Sequence, residues 1–376
     1  MCVCIPQLSN EQFATLKTVI PGDIVITKGG SIGLIGYITQ EAYACRDLIF
    51  IKSSALLEEQ RVFLYLYLTT DFAYKQLIRS SSQCAQPHLT ITLVKNLDIF
   101  NGSPMLMQKC TKIYSDFRQK YLASLDLYKE AEELLLGELQ IPDLAQQSNN
   151  VIYCRYSDFV NSDRLDAEYY QPKYDNLFTQ LNKFETKRLG DIVQIRKSIE
   201  PGSEAYQNQG IPFMRVSNLS KFGFSDTEIH LSTDEYKDII RPKQNTILLS
   251  KDGSVGIAYK VEQDMNVITS GAILHLTITD NEFMPDYLTL VLNSVIVGMQ
   301  AERDAGGSII QHWKPSEIEN VIIPKLSQEI QQEITNKVKE SFALRRESKR
   351  LLNLAKTAVE TATEQGENAA LRLLDR

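Results

Sequence analysis

Lys28-Gly29-Gly30-Ser31-Ile32-Gly33 and Lys251-Asp252-Gly253-Ser254-Val255-Gly256 are two copies of one string, K-x-G-S-x-G, in a chain of 376 residues. Each follows an apolar run, Ile24-Val25-Ile26 or Ile247-Leu248-Leu249, and so predicts a strand entering a glycine turn. The correspondence spreads outward from there. Leu8, Ser9, Glu11 and Phe13 answer Leu231, Ser232, Asp234 and Tyr236, and FLYLYL at 63–68 answers YLTLVL at 287–292. His88 answers His312 and Asn96 answers Asn320, a period near 224 residues. That period is too long for a solenoid and indicates a duplicated domain.

Each half closes on a long helix. The first opens at Ser103-Pro104, a capping residue before a first-turn proline, and runs to about Leu139. Its apolar positions are 106, 110, 113, 117, 121, 124/125, 128, 131 and 135. The second opens at Ser327 after Pro324, with apolar positions 330, 334, 338, 342, 352, 355 and 359. Steps of three and four predict a coiled-coil seam, antiparallel if the helices of a duplicated unit pair. Two surface helices packed on separate domains are the alternative. Asp126, Glu130, Glu132, Glu133 and Glu138 on the first helix, against Arg345, Arg346, Lys349, Arg350 and Lys356 on the second, are expected to help set the register.

The halves are unequal. Residues 152–227 have no counterpart before residue 5, so the second half reads as a complete mixed α/β domain and the first as its back two-thirds. A domain short of strands leaves a sheet edge for something to cover. The expected division is a partial first domain over 1–102, a helix over 103–140 and a linker over 141–187. A second domain over 188–326, a second helix over 327–362 and a tail over 363–376 complete it.

Composition places the chain among soluble globular proteins, with 43% hydrophobic and 23% charged residues. No apolar run is long enough to span a bilayer, and no secretory leader is legible, which predicts a cytoplasmic protein without a membrane role. The six cysteines form no CxxC pair and read as reduced thiols. The net charge of −7 does not favour a polyanion, but a local basic face suffices. Between 237 and 260 the chain carries Lys237, Arg241, Lys243, Lys251 and Lys260 against Asp238 and Asp252.

The second half carries, in order, the strings R-L-D-A-E-Y-Y from Arg164, R-L-G-D-I from Arg188 and G-I-P-F-M-R-V-S-N from Gly210. Followed by K-D-G-S-V-G and by I-P-K-L-S-Q-E-I-Q-Q-E-I opening a long helix, they resemble the specificity subunits of type I restriction–modification systems. The first half lacks its own L-G-D-I and G-I-P segments, so the resemblance is to an N-terminally truncated form. It implies an α+β fold of two mixed α/β target recognition domains, the first incomplete. Each domain is followed by a helix, and the helices pair as an antiparallel coiled coil. It also implies a non-catalytic reader of a split site in double-stranded DNA, its helices acting as a ruler. Those helices would dock methyltransferase subunits and, through them, restriction subunits, with S-adenosylmethionine, ATP and magnesium on the partner chains. A helical scaffold that binds methyltransferase subunits without DNA is the other reading.

Residue chemistry nominates the contacts. Lys251, Asp252, Gly253 and Ser254 could grip a phosphate through glycine-flanked N–H groups and an ammonium, or could form only a hairpin turn. Lys28, Gly30 and Ser31 share both readings. Arg215 and Asn218 suit guanine and adenine, Arg215 lying opposite Met214 and Val216 on an alternating strand. A solvated strand arginine is the plain alternative. Gly307, Ser308, Gln311 and His312 form a polar segment able to touch base or phosphate, and His88 repeats the histidine; a structural histidine is the competing reading. Trp313 reads as core or interface rather than as a stacking platform. Phe117, Leu125, Leu135, Phe342, Leu352 and Val359 are candidate partner contacts on the helices.

Enzymatic readings find little. No methyltransferase tetrad, P-loop, hydrolase triad or metal cluster is present in the sequence. Asp175 with Glu185 and Lys187 mimics a nuclease D…ExK pattern, but at a spacing that arises readily by chance.

Overall fold

The computed structural model describes residues 17–80, 88–141, 153, 155–162, 164, 166–305 and 311–375. Two compact units are built from them, one from residues up to 123 together with 344 onward, the other from 124–343. Each long helix, Pro104–Glu138 and Gln328–Gln365, therefore contributes one part to each unit.

In the first unit, β1 (Lys17–Val19) pairs with β4 (Ala42–Ala44), and β2 (Ile24–Thr27) lies between β3 (Ile35–Tyr37) and β5 (Leu48–Ile51), all antiparallel. The helix Glu58–Leu68 buries Val62, Phe63, Leu66, Tyr67 and Leu68, four of them from the FLYLYL string, against Ile24 and the helix pair. Tyr37, Tyr65 and Tyr114 meet edge to face at 5.4–5.6 Å, a favoured arrangement of aromatic quadrupoles. Leu106 and Cys110 pack on Ala355, Ala358, Val359 and Ala362. Burial pushes the Cys110 thiol up to about 12. Within the stretch set apart as a tail by sequence, residues 363–365 continue the second helix and Glu367–Leu374 form another, whose Ala370 is buried in the same core.

In the second unit, β6 (Thr186–Arg188) precedes β7 (Val193–Lys197), β8 (Ile211–Met214), β9 (Leu219–Ser220), β10 (Gly223–Phe224) and β11 (His230–Leu231). Then come β12 (Ile247–Ser250), β13 (Ala258–Lys260), β14 (Ile268–Thr269), β15 (Ile273–Ile278) and β16 (Ile322–Pro324). The main sheet runs β13-β12-β15-β7, antiparallel throughout; a second runs β11-β8-β14, with β8 and β14 parallel. All four residues of β12 are buried, as expected of a central strand covered on both faces, whereas β2 alternates buried with half-buried. Helices Pro172–Leu181, Pro285–Asn293 and Val295–Asp304 close the core around Tyr174, Leu177, Tyr287, Leu290 and Val297.

The strings behind the resemblance are mostly scaffold. Arg164 binds Asp166 through two nitrogens and donates to the Asp304 carbonyl at 2.8 Å, placing a cation on the last carbonyls of a helix. Leu189 donates its N–H to Val321, and Lys325 joins Glu185 and Glu282 at 2.8 and 2.6 Å. Lys187 is held by Asp280 and Glu282 at 2.6 and 2.5 Å. Glu185 and Lys187 thus brace the junction of sheet and helix, and the D…ExK pattern does not assemble.

The long helices pair antiparallel within each unit. Arg345 stands over the Tyr121 ring at 5.2 Å in the first; in the second, Ser341 donates to the Ser124 carbonyl at 2.6 Å and Lys337 meets Glu130 at 2.7 Å. Two expectations need correction. The charge register differs: residues 126–138 run beside 328–343, so the cations of 345–356 are not their counterparts. Tyr114 is buried in the first core, and Ile113 packs half-buried against it. Leu135, Phe342 and Val359 are buried in the chain's own cores, and Phe117 and Leu352 pack against them half-buried, so these are seam residues rather than partner contacts. Leu125 is half-buried, while Leu122 is 45% exposed.

Candidate nucleic-acid interface

The two K-x-G-S-x-G turns are built by the same bonds. Gly33 donates to Thr27 O and Gly256 to Ser250 O, both at 2.9 Å. Leu34 donates to the Thr27 hydroxyl and Ile257 to the Ser250 hydroxyl, again both at 2.9 Å. Those hydroxyls in turn donate to Ser31 O and Ser254 O. Gly30, Gly33, Gly253 and Gly256 have φ of 69°, 79°, 72° and 85°, a left-handed region that only glycine enters without strain. Turn geometry therefore accounts for the glycines. It also leaves the apices Gly30-Ser31 and Gly253-Ser254 exposed, with nothing within 4 Å of where a Cβ on either apical glycine would stand.

Each turn grips the segment that carries its histidine. Leu89 donates to Lys28 O at 3.0 Å, and Trp313 donates to Lys251 O at 2.8 Å. Trp313 is fully buried, as core. In the second unit Gly253 also donates to Gln311 O at 3.0 Å. Here the copies diverge. Asp252 bonds Lys251 through one carboxylate oxygen and His312 Nδ1 at 2.8 Å through the other. Burial alone would raise the Asp252 carboxyl, but the bonds from Lys251 and His312 outweigh it and hold it below the usual carboxylate range. The first unit has Gly29 in that place; a Cβ on it would stand 3.3 Å from His88 Cε1, and Lys28 has no carboxylate partner among the described residues.

Lys251 is thereby corrected as a phosphate contact: its side chain is 14% exposed and its ammonium is neutralised by Asp252. Two more cations of the basic stretch over 237–260 are paired in the same way, Lys243 with Asp264 at 2.8 Å and Lys260 with Asp286 at 2.5 Å. The carboxylates answering these lysines lie just beyond the stretch counted. Arg215 is not a strand residue. β8 ends at Met214, and Arg215 precedes a 3-10 turn, Val216–Asn218, with its side chain exposed. Asn218 is occupied by that turn: its Oδ1 accepts from Arg215 N at 3.1 Å and its Nδ2 donates to Asp226 O at 3.1 Å. Base reading by Asn218 would cost those bonds.

Arg215, Asp252 and Gly253 nevertheless converge on one open concavity with Tyr206, Ser217 and Ser270, and His312 adjoins it through Asp252. Tyr206 and Ser217 carry no sequence signal. Gly307 and Ser308 lie outside the described residues. Among the described residues no three His, Cys, Asp or Glu side chains converge as metal ligands, and no helix is long and apolar enough to cross a membrane.

The sequence model of the type I restriction modification DNA specificity domain matches residues 7–100 and 182–353, once in each half. The chain belongs to that family. A member of the type I specificity family is a DNA sequence-recognition subunit, and the duplicated turns fall inside both matched segments. No curated protein sequence matches. Among solved structures, the type I S subunit from M. genitalium is similar at 14% identity, covering 96% of this chain and 84% of that one, with a TM-score of 0.37. The HsdS subunit from Thermoanaerobacter tengcongensis is similar at 15% identity, covering 93% and 82%, with a TM-score of 0.34.

Proposed function

We propose that this specificity-family chain reads a split DNA target, one unit on each part, with the exposed Gly–Ser turn of each unit set against the phosphate backbone. The observation that carries this is the bond-for-bond repetition of the two turns with their apices open. Main-chain N–H groups at a glycine apex approach phosphate without a side chain between them, and such contacts fix register while base edges give sequence. In the second unit, Arg215 and Ser217 beside the turn supply donors for base edges. Methyltransferase subunits dock on exposed helix faces such as that of Leu122, and restriction subunits join through them. Methyl transfer and cleavage, with S-adenosylmethionine, ATP and magnesium, belong to those partners, in a cytoplasmic assembly.

Filter binding tests this reading. The chain with a methyltransferase subunit should select sequences with two constant segments from random duplexes, and binding should weaken steeply with salt as counterions are released. Affinity that never appears, with or without the partner, would leave only the scaffold reading. Magnesium-dependent cleavage by the isolated chain would contradict the non-catalytic role.

A further inference from the structure

Three segments of the second unit lie side by side at the concavity. Thr269, at the end of β14, stands opposite Met214, the last residue of β8, and Ser270 donates its N–H to the Met214 carbonyl at 2.8 Å. On its other side Ser270 is bridged in parallel to Ile199, and Gly271 donates to the Ile199 carbonyl at 2.7 Å. Ser270 is thus the middle of the three, and Glu200 and Arg215 leave the segments on either hand. Two strand spacings set the backbones of those outer segments roughly 10 Å apart. Glu200 lies over Gly271: a Cβ there would stand 2.8 Å from its Oε1 and 2.7 Å from Lys197 Cε, so only glycine leaves room for both side chains as they lie.

The polar groups of the concavity divide into spent and free. Asp252 is spent on Lys251 and His312. Among the described residues no hydrogen bond or ion pair engages the Glu200 carboxylate, the Arg215 guanidinium or the Ser270 hydroxyl, although all three residues line the same hollow. Ser270 is only 6% exposed, and polar groups so placed are normally satisfied. Glu200 and Arg215 are both exposed, and neither neutralises the other.

A ligand that meets both must give an N–H to the carboxylate, which only accepts, and acceptors to the guanidinium, which only donates. A phosphate offers no donor. The major-groove edge of a C·G pair offers both in the right order, the cytosine N4 amino group on one side and guanine O6 and N7 together on the other. An A·T pair divides its acceptors, adenine N7 and thymine O4, to either side of the amino group, and so gives arginine no two-pronged match on the partner base. The hollow is open, as suits the edge of a base pair pressed against it.

We infer that Glu200 and Arg215 together read one C·G pair in the part of the target met by the second unit. Glu200 accepts from cytosine N4 and Arg215 donates to guanine O6 and N7, with the Ser270 hydroxyl free between them. The inference rests on the DNA-reading proposal and deepens it. It makes Glu200, a residue that no sequence motif marks, a determinant of specificity.

Target selection from random duplexes tests it, using the chain in complex with a methyltransferase subunit, unaltered or carrying Glu200→Ala or Arg215→Ala. The unaltered complex should select one constant C·G pair within one of its two segments. Each variant should lose roughly tenfold in discrimination at that same pair and keep every other position, because one good side-chain contact separates right from wrong bases by about that factor. Glu200→Gln, which keeps the size of the side chain, should lose the preference for C·G in the same place and decides the matter if the alanine variant does not fold. The inference is overturned if the variants relax different pairs, relax an A·T pair, weaken all sequences alike or leave the selected target unchanged. An unaltered complex that selects no sequence would overturn the DNA-reading proposal itself, and this inference with it.

Discussion

His312 Nδ1 lies 2.8 Å from Asp252 Oδ1 across sixty residues of sequence, and the other oxygen of the same carboxylate holds Lys251. The first unit places Gly29 where Asp252 stands, so the two turns share a backbone and differ in charge. Asp252→Gly would give the second turn the residue of the first, releasing one ammonium and removing one carboxylate from the concavity. Non-specific duplex affinity should rise, and the slope of log affinity against log salt should steepen by roughly one. Filter binding across a salt series reads both, and an unchanged slope would place Lys251 away from phosphate.

Lys260 and Asp286 form an ion pair 9% and 6% exposed, joining β13 to the helix Pro285–Asn293. Removing one partner strands a buried charge, so Asp286→Ala should destabilise the chain by about 3–5 kcal/mol. Lys260→Met with Asp286→Leu should recover most of that loss. Denaturant unfolding of the three variants checks the cycle; a single variant as stable as the double would contradict it.

His275 sits in the middle of β15, its Nε2 2.7 Å from the Thr269 hydroxyl, and burial lowers its pKa to about 4. The unfolded chain takes up a proton near the ordinary histidine pKa of about 6.5, where the native imidazole stays neutral. Its contribution to stability is whole above that pH, shrinks as pH falls toward about 4, and changes no further below it. The loss across the window is on the order of 3 kcal/mol. His275→Gln should flatten this part of the pH–stability curve, and an equal slope in both proteins would place the titration elsewhere.

Ser341 and Ser124 meet across the helix seam, with a 2.6 Å bond from hydroxyl to carbonyl and both side chains fully buried. Ser341→Leu should force the backbones apart and cost about 1–3 kcal/mol, read as a shift in the denaturant midpoint. A neutral result would mean that the seam is loosely packed there.

What the sequence disclosed follows the range of each interaction. The turns were legible because Gly30, Gly33, Gly253 and Gly256 adopt a conformation that local sequence must supply. The helices were legible by their apolar period, but not where the seam passes through Ser341, Arg345 and Ser348, since buried serines and a stacked arginine leave no apolar mark. Arg215 was misplaced because the alternation of Met214 and Val216 persists past the end of β8 into a 3-10 turn. The Asp252–His312 pair and the neutralisation of Lys260 by Asp286 were hidden, because partners distant in sequence meet only in the fold.

The central claim, that both turns lie against DNA, is tested most directly by photo-crosslinking. A benzoylphenylalanine placed at Ser31 or at Ser254, in the complex with a methyltransferase subunit and its selected duplex, should crosslink to DNA from both positions. The two crosslinks should map to different parts of the target. Crosslinks confined to protein, or absent from either position, would contradict it.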